Sequence, residues 1–171
     1  VLLKPSFLPL KQQFLLNMVI SVAINRALKS ILQNNVYIKW PNDVYYNDKK
    51  LGGVLIENTI VGSALKAAVI GIGLNINQPK FPAHLVDRAT SVRQILQEDV
   101  NLDLTLAEIC NQIESLYSQL KAGRHTFLRN EYVSNLYKFN EPAMYRQNGE
   151  VFEGMITGVS DIGLLNVSRD H

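Results

Sequence analysis

The sequence has a single cysteine, Cys110, among 171 residues. One thiol cannot close an internal disulfide, so a reducing compartment is expected, and the cytoplasm is the location that follows. Cys110 itself reads as a small hydrophobe on a helix. Histidine is sparse too. His84, His125 and His171 stand alone, without the spacing of metal ligands, so no zinc centre is expected. Neither sign of charge dominates: seventeen basic against fifteen acidic side chains leave +2, with no dense basic run. That balance argues against a nucleic-acid partner. No apolar run is read as reaching the ~20 residues that cross a bilayer, so no membrane partner is expected. The opening stretch VLLKPSFLPLKQQFLLNMV is broken by Pro5, Pro9 and two lysines and is unlike a signal peptide. The chain starts on strand-forming residues at Val1 rather than on an initiator methionine. The expectation is that it continues a longer polypeptide.

What is present is globular composition, 47% hydrophobic and 19% charged, suited to one domain with a small appendage. Apolar residues at three- and four-residue spacing predict a helix from about Leu10 to Leu32, ended by Asn34-Asn35. VYIKW predicts a strand that stops at Pro41, which cannot donate to a ladder. VYY and LGGVLIE flank a turn at Asn47-Asp48. NTIVGS marks a further reversal. LKAAVIGIGLNIN follows as a long strand, apolar enough to be buried on both faces. Thr90 or Ser91 is an N-cap for a short helix. Thr105 and Glu108 have capping-box spacing for a longer one, with Leu106, Ile109, Cys110, Ile113, Leu116, Tyr117 and Leu120 as its apolar stripe and Gly123 as its stop. Another helix is expected from Phe127 to Tyr137. After Asn140 the pattern becomes short strands with turns at Asn148-Gly149 and Asp161–Gly163. The fold class is α/β (α+β), a mixed sheet flanked by helices, with a small β-unit appended.

The segment IKWPNDVYYNDKKLGGVLIE, Ile38 to Glu57, carries more polar and glycine residues than a core hairpin needs. Asn42 and Asp43 follow a proline, where backbone must leave the sheet. An amide beside a carboxylate can orient polar groups or hold a hydrated Mg²⁺. Lys50 precedes Gly52 and Gly53, which leave backbone open to approach. A lysine beside open backbone suits an anionic group, phosphate above all. The plainer reading is a turn, a solvated lysine and a bulge. VIGIGLNIN then sets Gly71 and Gly73 two apart in an apolar strand, followed by Asn75. It lacks the third glycine and following helix of a dinucleotide fingerprint. Gly71, Gly73 and Asn75 alternate to one face, a flat floor for a planar ligand with an amide able to read an adenine edge. Close packing of a helix on small residues is the alternative.

KWPND, then KLGGVLIE with its lysine seven residues after the aspartate, then VIGIGLNIN resemble the biotin–protein ligase family in order and spacing. The resemblance implies the catalytic fold shared with class II aminoacyl-tRNA synthetases over 1–138, and the start of an SH3-like unit over 139–171. It implies activation of biotin with Mg-ATP to biotinyl-5'-adenylate, then transfer to a lysine of a carboxylase's biotin carrier domain. Lys50 matches the catalytic lysine that contacts the biotin carboxyl and the α-phosphate. Gly53, Gly71 and Gly73 match backbone lining the biotin site. Lys39, Asn42, Asp43 and Asn75 match ATP-binding positions, and Asp43 the metal ligand. The family's Gly-Arg-Gly-rich loop and its ureido-binding residues have no counterpart between Val1 and His171, and belong upstream. Family members dimerise through the sheet edge, so a homodimer is admitted. Two other readings are a lipoate-type acyl ligase on a similar fold and a non-catalytic module that binds biotin or a carrier domain.

Overall fold

The computed structural model describes residues 1–62 and 64–169; Ser63, at the end of the expected NTIVGS reversal, and Asp170 and His171 lie outside the described residues. Strands β1 (Leu2–Leu3), β2 (Val36–Lys39), β3 (Asp43–Tyr46), β4 (Lys49–Val61) and β5 (Ala64–Leu74) form one sheet in the order β1-β5-β4-β3-β2. Every named pairing in it is antiparallel. The mixed character expected from sequence is confined to isolated parallel bridges such as Ile38 with Leu136 and Lys50 with Ala89. Helices α1 (Phe14–Leu32), α2 (Val92–Leu96), α3 (Leu102–Lys121) and α4 (His125–Ser134) follow in the chain order the sequence suggested. A second sheet holds β6 (Pro142–Gln147), β7 (Glu150–Val159) and β8 (Leu165–Arg169).

Helix α1 is the centre of the core. Leu16, Met18, Val19, Ile20, Val22, Ala23, Ile24, Ala27 and Leu28 are fully buried, so it is covered nearly all round rather than along one stripe. It packs on the inward face of the sheet, through Val36, Ile38, Val44 and Val54, and against α3 and α4. A 3-10 turn at Leu10–Gln12 precedes it. The combined stretch Leu10–Leu32 has the length and composition to cross a bilayer, contrary to the reading of a broken run, yet 72% of its apolar window is buried inside the protein. Its burial accounts for its composition. The helix ends where Gln33 takes a φ of 64° and its N–H donates to Lys29 O at 2.8 Å.

One of the two expected helix starts holds and the other moves. Ser91, not Thr90, caps α2, its Oγ accepting from Gln94 N at 3.1 Å. Asn101 caps α3 by accepting from Leu104 N at 3.0 Å, so the helix starts ahead of Thr105. Thr105 instead donates back to Asn101 O at 2.8 Å from a buried site. Of the α3 stripe, Ile109, Ile113, Leu116 and Leu120 are buried, whereas Leu106 and Cys110 are exposed. Strand β5 is also one-sided: Leu65, Ala68 and Ile70 face the core, while Val69 is 50% exposed. Its continuous apolar run therefore does not mean burial on both faces.

The turn between β2 and β3 is pinned from several sides. Pro41 O accepts from Asn17 Nδ2 at 2.8 Å and from the buried Tyr132 hydroxyl at 2.7 Å. Trp40 Nε1 donates to Gly163 O at 2.9 Å, tying the turn to the second sheet. Gly163 has a φ of 93° and lies on the Phe14 ring, so a side chain there would be strained and would clash. Arg129 donates to Val159 O and Ser160 O at 3.2 and 3.1 Å and pairs with Asp161 at 2.9 Å. In the second sheet the Asn148-Gly149 hairpin has positive φ at both central residues, as a type I′ turn requires.

Burial raises the Tyr132 phenol above its ordinary value of 10.0. The folded state thus holds that proton more tightly than the unfolded chain. Stability from it is complete below pH 10 and is lost as pH rises beyond. In Tyr132→Phe, urea unfolding at pH 8 is expected to show a loss of about 1 kcal/mol, because Pro41 O keeps its Asn17 donor. The stability of the variant is expected to fall less steeply than wild type above pH 10. An equal slope would show that Tyr132 does not carry the effect.

Candidate functional site

The site is built by β3, β4 and β5 on the face of the sheet turned away from α1. In the β3–β4 ladder Asp43 faces Gly53, Val44 faces Gly52, and Tyr45 faces Lys50. Leu51 is an extra residue on β4, a β-bulge. Residues three apart on a regular strand project to opposite faces, so Lys50 and Gly53 would be separated without it. With it, both share the outer face with Asp43 and Tyr45, and Leu51 is buried at 1% exposure.

Lys50 Nζ lies 2.6 Å from Asp43 Oδ1. Its main chain is held as well: Lys50 N donates to Arg88 O at 2.8 Å, and Thr90 N donates to Lys50 O at 3.0 Å. A Cβ at Gly53 would stand 2.6 Å from Asp43 Oδ1, so glycine is what leaves room for the carboxylate. The same ladder continues into β5, where Gly53 pairs with Gly73 and Leu55 with Gly71. A Cβ on Gly73 would meet nothing, and one on Gly71 would make only ordinary contact with Leu55. Asp43, Lys50, Gly53, Leu55, Gly71 and Gly73 line an open depression of about 470 Å³.

The remaining expected site residues stand around it. Asn42 exchanges two bonds with β4: its Nδ2 donates to Val54 O at 2.6 Å, and Val54 N donates to Asn42 O at 3.0 Å. This fixes the chain entering Asp43. Lys39 is the cross-strand partner of Asp43 and shares the outer face. Its ammonium rests 4.6 Å above the Tyr45 ring and donates to Tyr45 Oη at 3.1 Å. Asn75 departs from expectation. Strand β5 ends at Leu74, so the alternation that would set Asn75 beside the glycines stops short. Its Nδ2 donates to Thr90 O at 3.2 Å and its N–H to Leu51 O at 2.8 Å, placing it next to the 88–92 segment rather than on the depression floor.

Among the described residues no three His, Cys, Asp or Glu side chains gather as a metal cage. Asp43 is one carboxylate, with Lys50 on Oδ1. Such a donor set fits a Mg²⁺ that arrives already coordinated by phosphates, not a dedicated all-protein site. Tyr45 and Tyr137 were not among the expected site residues. Tyr46 packs against the core, and Tyr45 supports Lys39. Tyr137 stacks on Tyr45 at 5.4 Å and donates to the Asp48 carboxylate. Burial, then that bond and the Asp48 charge, raise its phenol above the ordinary range. Tyr137 is 89 positions from Asp48 in the chain, too far for any local pattern to reveal.

Residues 1–75 match the Biotin/lipoate A/B protein ligase family. The chain is 28% identical over 167 residues to a bifunctional ligase/repressor, BirA, of Bacillus subtilis (strain 168), covering 96% of this chain and 51% of that protein. It is 26% identical over 132 residues to a biotin–[acetyl-CoA-carboxylase] ligase of Paracoccus denitrificans, covering 75% of this chain and 55% of that one. The structure superposes on a biotin protein ligase from Aquifex aeolicus with a TM-score of 0.80 and 27% identity, over 99% of this chain and 72% of that one. The chain spans about half the length of the curated relatives it matches.

The glycines separate fold from site. A Cβ at Gly52 would overlap the Gly73 carbonyl oxygen, a backbone atom that cannot give way. Gly52→Ala is expected to lose about 3 kcal/mol in urea unfolding, whereas Gly73→Ala, which faces open space, is expected to be unchanged or up to about 1 kcal/mol more stable. Equal destabilisation by both would mean that the depression is closed in solution.

Proposed function

We propose that the chain takes part in ATP-dependent ligation of biotin to protein, in two steps, a reading supported by the family match over residues 1–75 and by the superposition on a biotin protein ligase. In the first, a biotin carboxylate oxygen attacks the α-phosphorus of ATP. The bond from that phosphorus to the β-bridging oxygen breaks, giving biotinyl-5'-adenylate and pyrophosphate. In the second, a lysine amine of a carboxylase's biotin carrier domain attacks the acyl carbon and displaces AMP. The reading takes 1–138 as the catalytic unit and 139–171 as the start of an SH3-like unit. A cytoplasmic setting is part of it and rests on the lone cysteine.

The observation that carries this reading is an ammonium fixed over an open glycine floor. Lys50 sits 2.6 Å from Asp43 beside Gly53, Gly71 and Gly73. Negative charge grows on the carboxyl and phosphoryl oxygens as the first step proceeds. A positively charged group already held there by its main chain and by Asp43 stabilises that charge without reorganising. The glycines let a flat bicyclic ring approach the sheet backbone. Mg²⁺ enters with ATP as part of the substrate, where it neutralises phosphate charge. Asp43 and Asn42 are assigned as the residues that would meet it. Lys39 adds positive charge on the same face, and Asn75 is assigned to the nucleotide side.

The test is biotin-dependent ATP–pyrophosphate exchange. Lys50→Ala is expected to lower exchange at least 100-fold with an unchanged circular dichroism spectrum, a loss of about 2.7 kcal/mol or more in transition-state stabilisation. Exchange at the wild-type rate in that variant would remove Lys50 from the chemistry. Lipoate in place of biotin is the control: exchange with lipoate and none with biotin would assign the chain to the lipoate branch.

A further inference from the structure

Two lysines compete for one carboxylate on the outer face of the sheet. Asp43 stands directly across from Lys39 on β2, and diagonally across from Lys50 on β4, whose own ladder partner is Tyr45. Only Lys50 takes the carboxylate, at 2.6 Å; among the described residues Lys39 forms no ion pair. Opposite charges directly across a ladder attract one another, so something else holds Lys39. Its ammonium leans the other way along the sheet. It donates to Tyr45 Oη at 3.1 Å and lies 4.6 Å from the centre of the Tyr45 ring and 6.0 Å from that of Tyr137. The Tyr45 ring is held in turn. Tyr137 packs on it at 5.4 Å and meets Tyr37 edge-on at 6.3 Å. Tyr137 is fixed at both ends: its N–H donates to Ile38 O at 2.9 Å, and its hydroxyl donates to the Asp48 carboxylate in the β3–β4 turn.

From this we infer that Tyr45 and Tyr137 are a positioning pair for nucleotide binding: they keep the Lys39 ammonium off Asp43 and available to the phosphates of MgATP. The inference rests on the ligase reading above and adds to it a residue, Tyr137, that lies far outside the Lys39–Asn77 stretch. A cation over aromatic rings is held by their quadrupoles without being neutralised, so Lys39 still offers its charge to a phosphate. On Asp43 that charge would be cancelled, and a second ammonium would crowd the carboxylate assigned to the metal. With the lysines kept apart, one pairs with Asp43 and the other stays unpaired on the same face. Without the Tyr137 ring, Tyr45 loses the support on its far side, and the long Lys39 side chain regains the rotamers that lead to Asp43. Tyr137 also lies on the chain leading into the second sheet, but a purely structural role predicts a loss that does not depend on Lys39.

The experiment is a double-mutant cycle between Tyr137 and Lys39 on the whole chain. Calorimetry, with biotin present, reads binding of the magnesium complex of α,β-methylene-ATP, whose α–β bridge does not break. Pyrophosphate exchange gives kcat and the KM values for MgATP and biotin, and thermal melting is measured alongside. Tyr137→Leu is expected to weaken analogue binding and to raise KM for MgATP about tenfold, with kcat and KM for biotin unchanged. Added to Lys39→Met, the same change is expected to weaken analogue binding by less than about twofold. Tyr137→Phe, which keeps the ring, is expected to bind within about twofold of wild type. Should Tyr137→Leu fail to fold, Tyr45→Phe removes only the hydroxyl that accepts from Lys39 and completes the cycle: about threefold weaker binding alone, none lost beyond Lys39→Met in combination. Wild-type binding by Tyr137→Leu, or by Tyr45→Phe in its place, would overturn the inference. So would equal losses with and without Lys39, or no analogue binding by wild type. Absence of biotin-dependent exchange with the cycle intact would fail the ligase reading alone.

Discussion

One extra residue in a strand sets the outer face of this sheet. The Leu51 bulge puts Lys50 and Gly53 on the same side, opposite Tyr45 and Asp43. It also turns Leu51 inward, where it is fully buried, so the core holds the bulge in place. The ammonium and the carboxylate meet at 2.6 Å because of that register shift and the missing side chain at Gly53. Packing on the α1 side therefore decides the chemistry on the other side.

The second support is the turn from Trp40 to Asn42. Its carbonyls and side chains bond to α1 through Asn17, to α4 through Tyr132, to β4 through Val54 and to the second sheet through Gly163. The residues that read in sequence as a polar cluster are largely occupied in holding this junction. Asn42 and Trp40 are positioning groups first. Asp43 and Lys39, the residues on either side of them, are left to face the open side of the sheet. The junction also brings the second sheet beside the site.

Much of this was legible in the chain. The central helix, the strands around Lys39 to Leu74, the hairpin turns and the glycine floor follow from periodicity and turn residues. Of the residues that the family resemblance named, Asp43, Lys50, Gly53, Gly71 and Gly73 line one depression. What misled was local inference about faces and caps. Leu106 and Cys110 fit an apolar stripe but lie on the exposed side of α3, because the face it turns to the core is the one carrying Thr105, Ile109, Ile113, Leu116 and Leu120. Thr105 has capping spacing, yet Asn101 takes the cap and Thr105 becomes an interior residue. Asn75 alternates with the glycines on paper, but its strand stops one residue earlier.

The sequence by itself determined the elements, their order and the residue types at the site, because those depend on hydrophobic period, on proline and glycine, and on neighbours a few positions apart. Tertiary structure alone decided which of those residues meet. A bulge is one residue of register between strands and leaves no mark in either strand's own pattern. The bonds from Tyr132 to Pro41 and from Trp40 to Gly163 join positions 91 and 123 apart. Contacts at such separation exist only once the core has closed around α1, and the aim of Lys50 at Asp43 is set at that point.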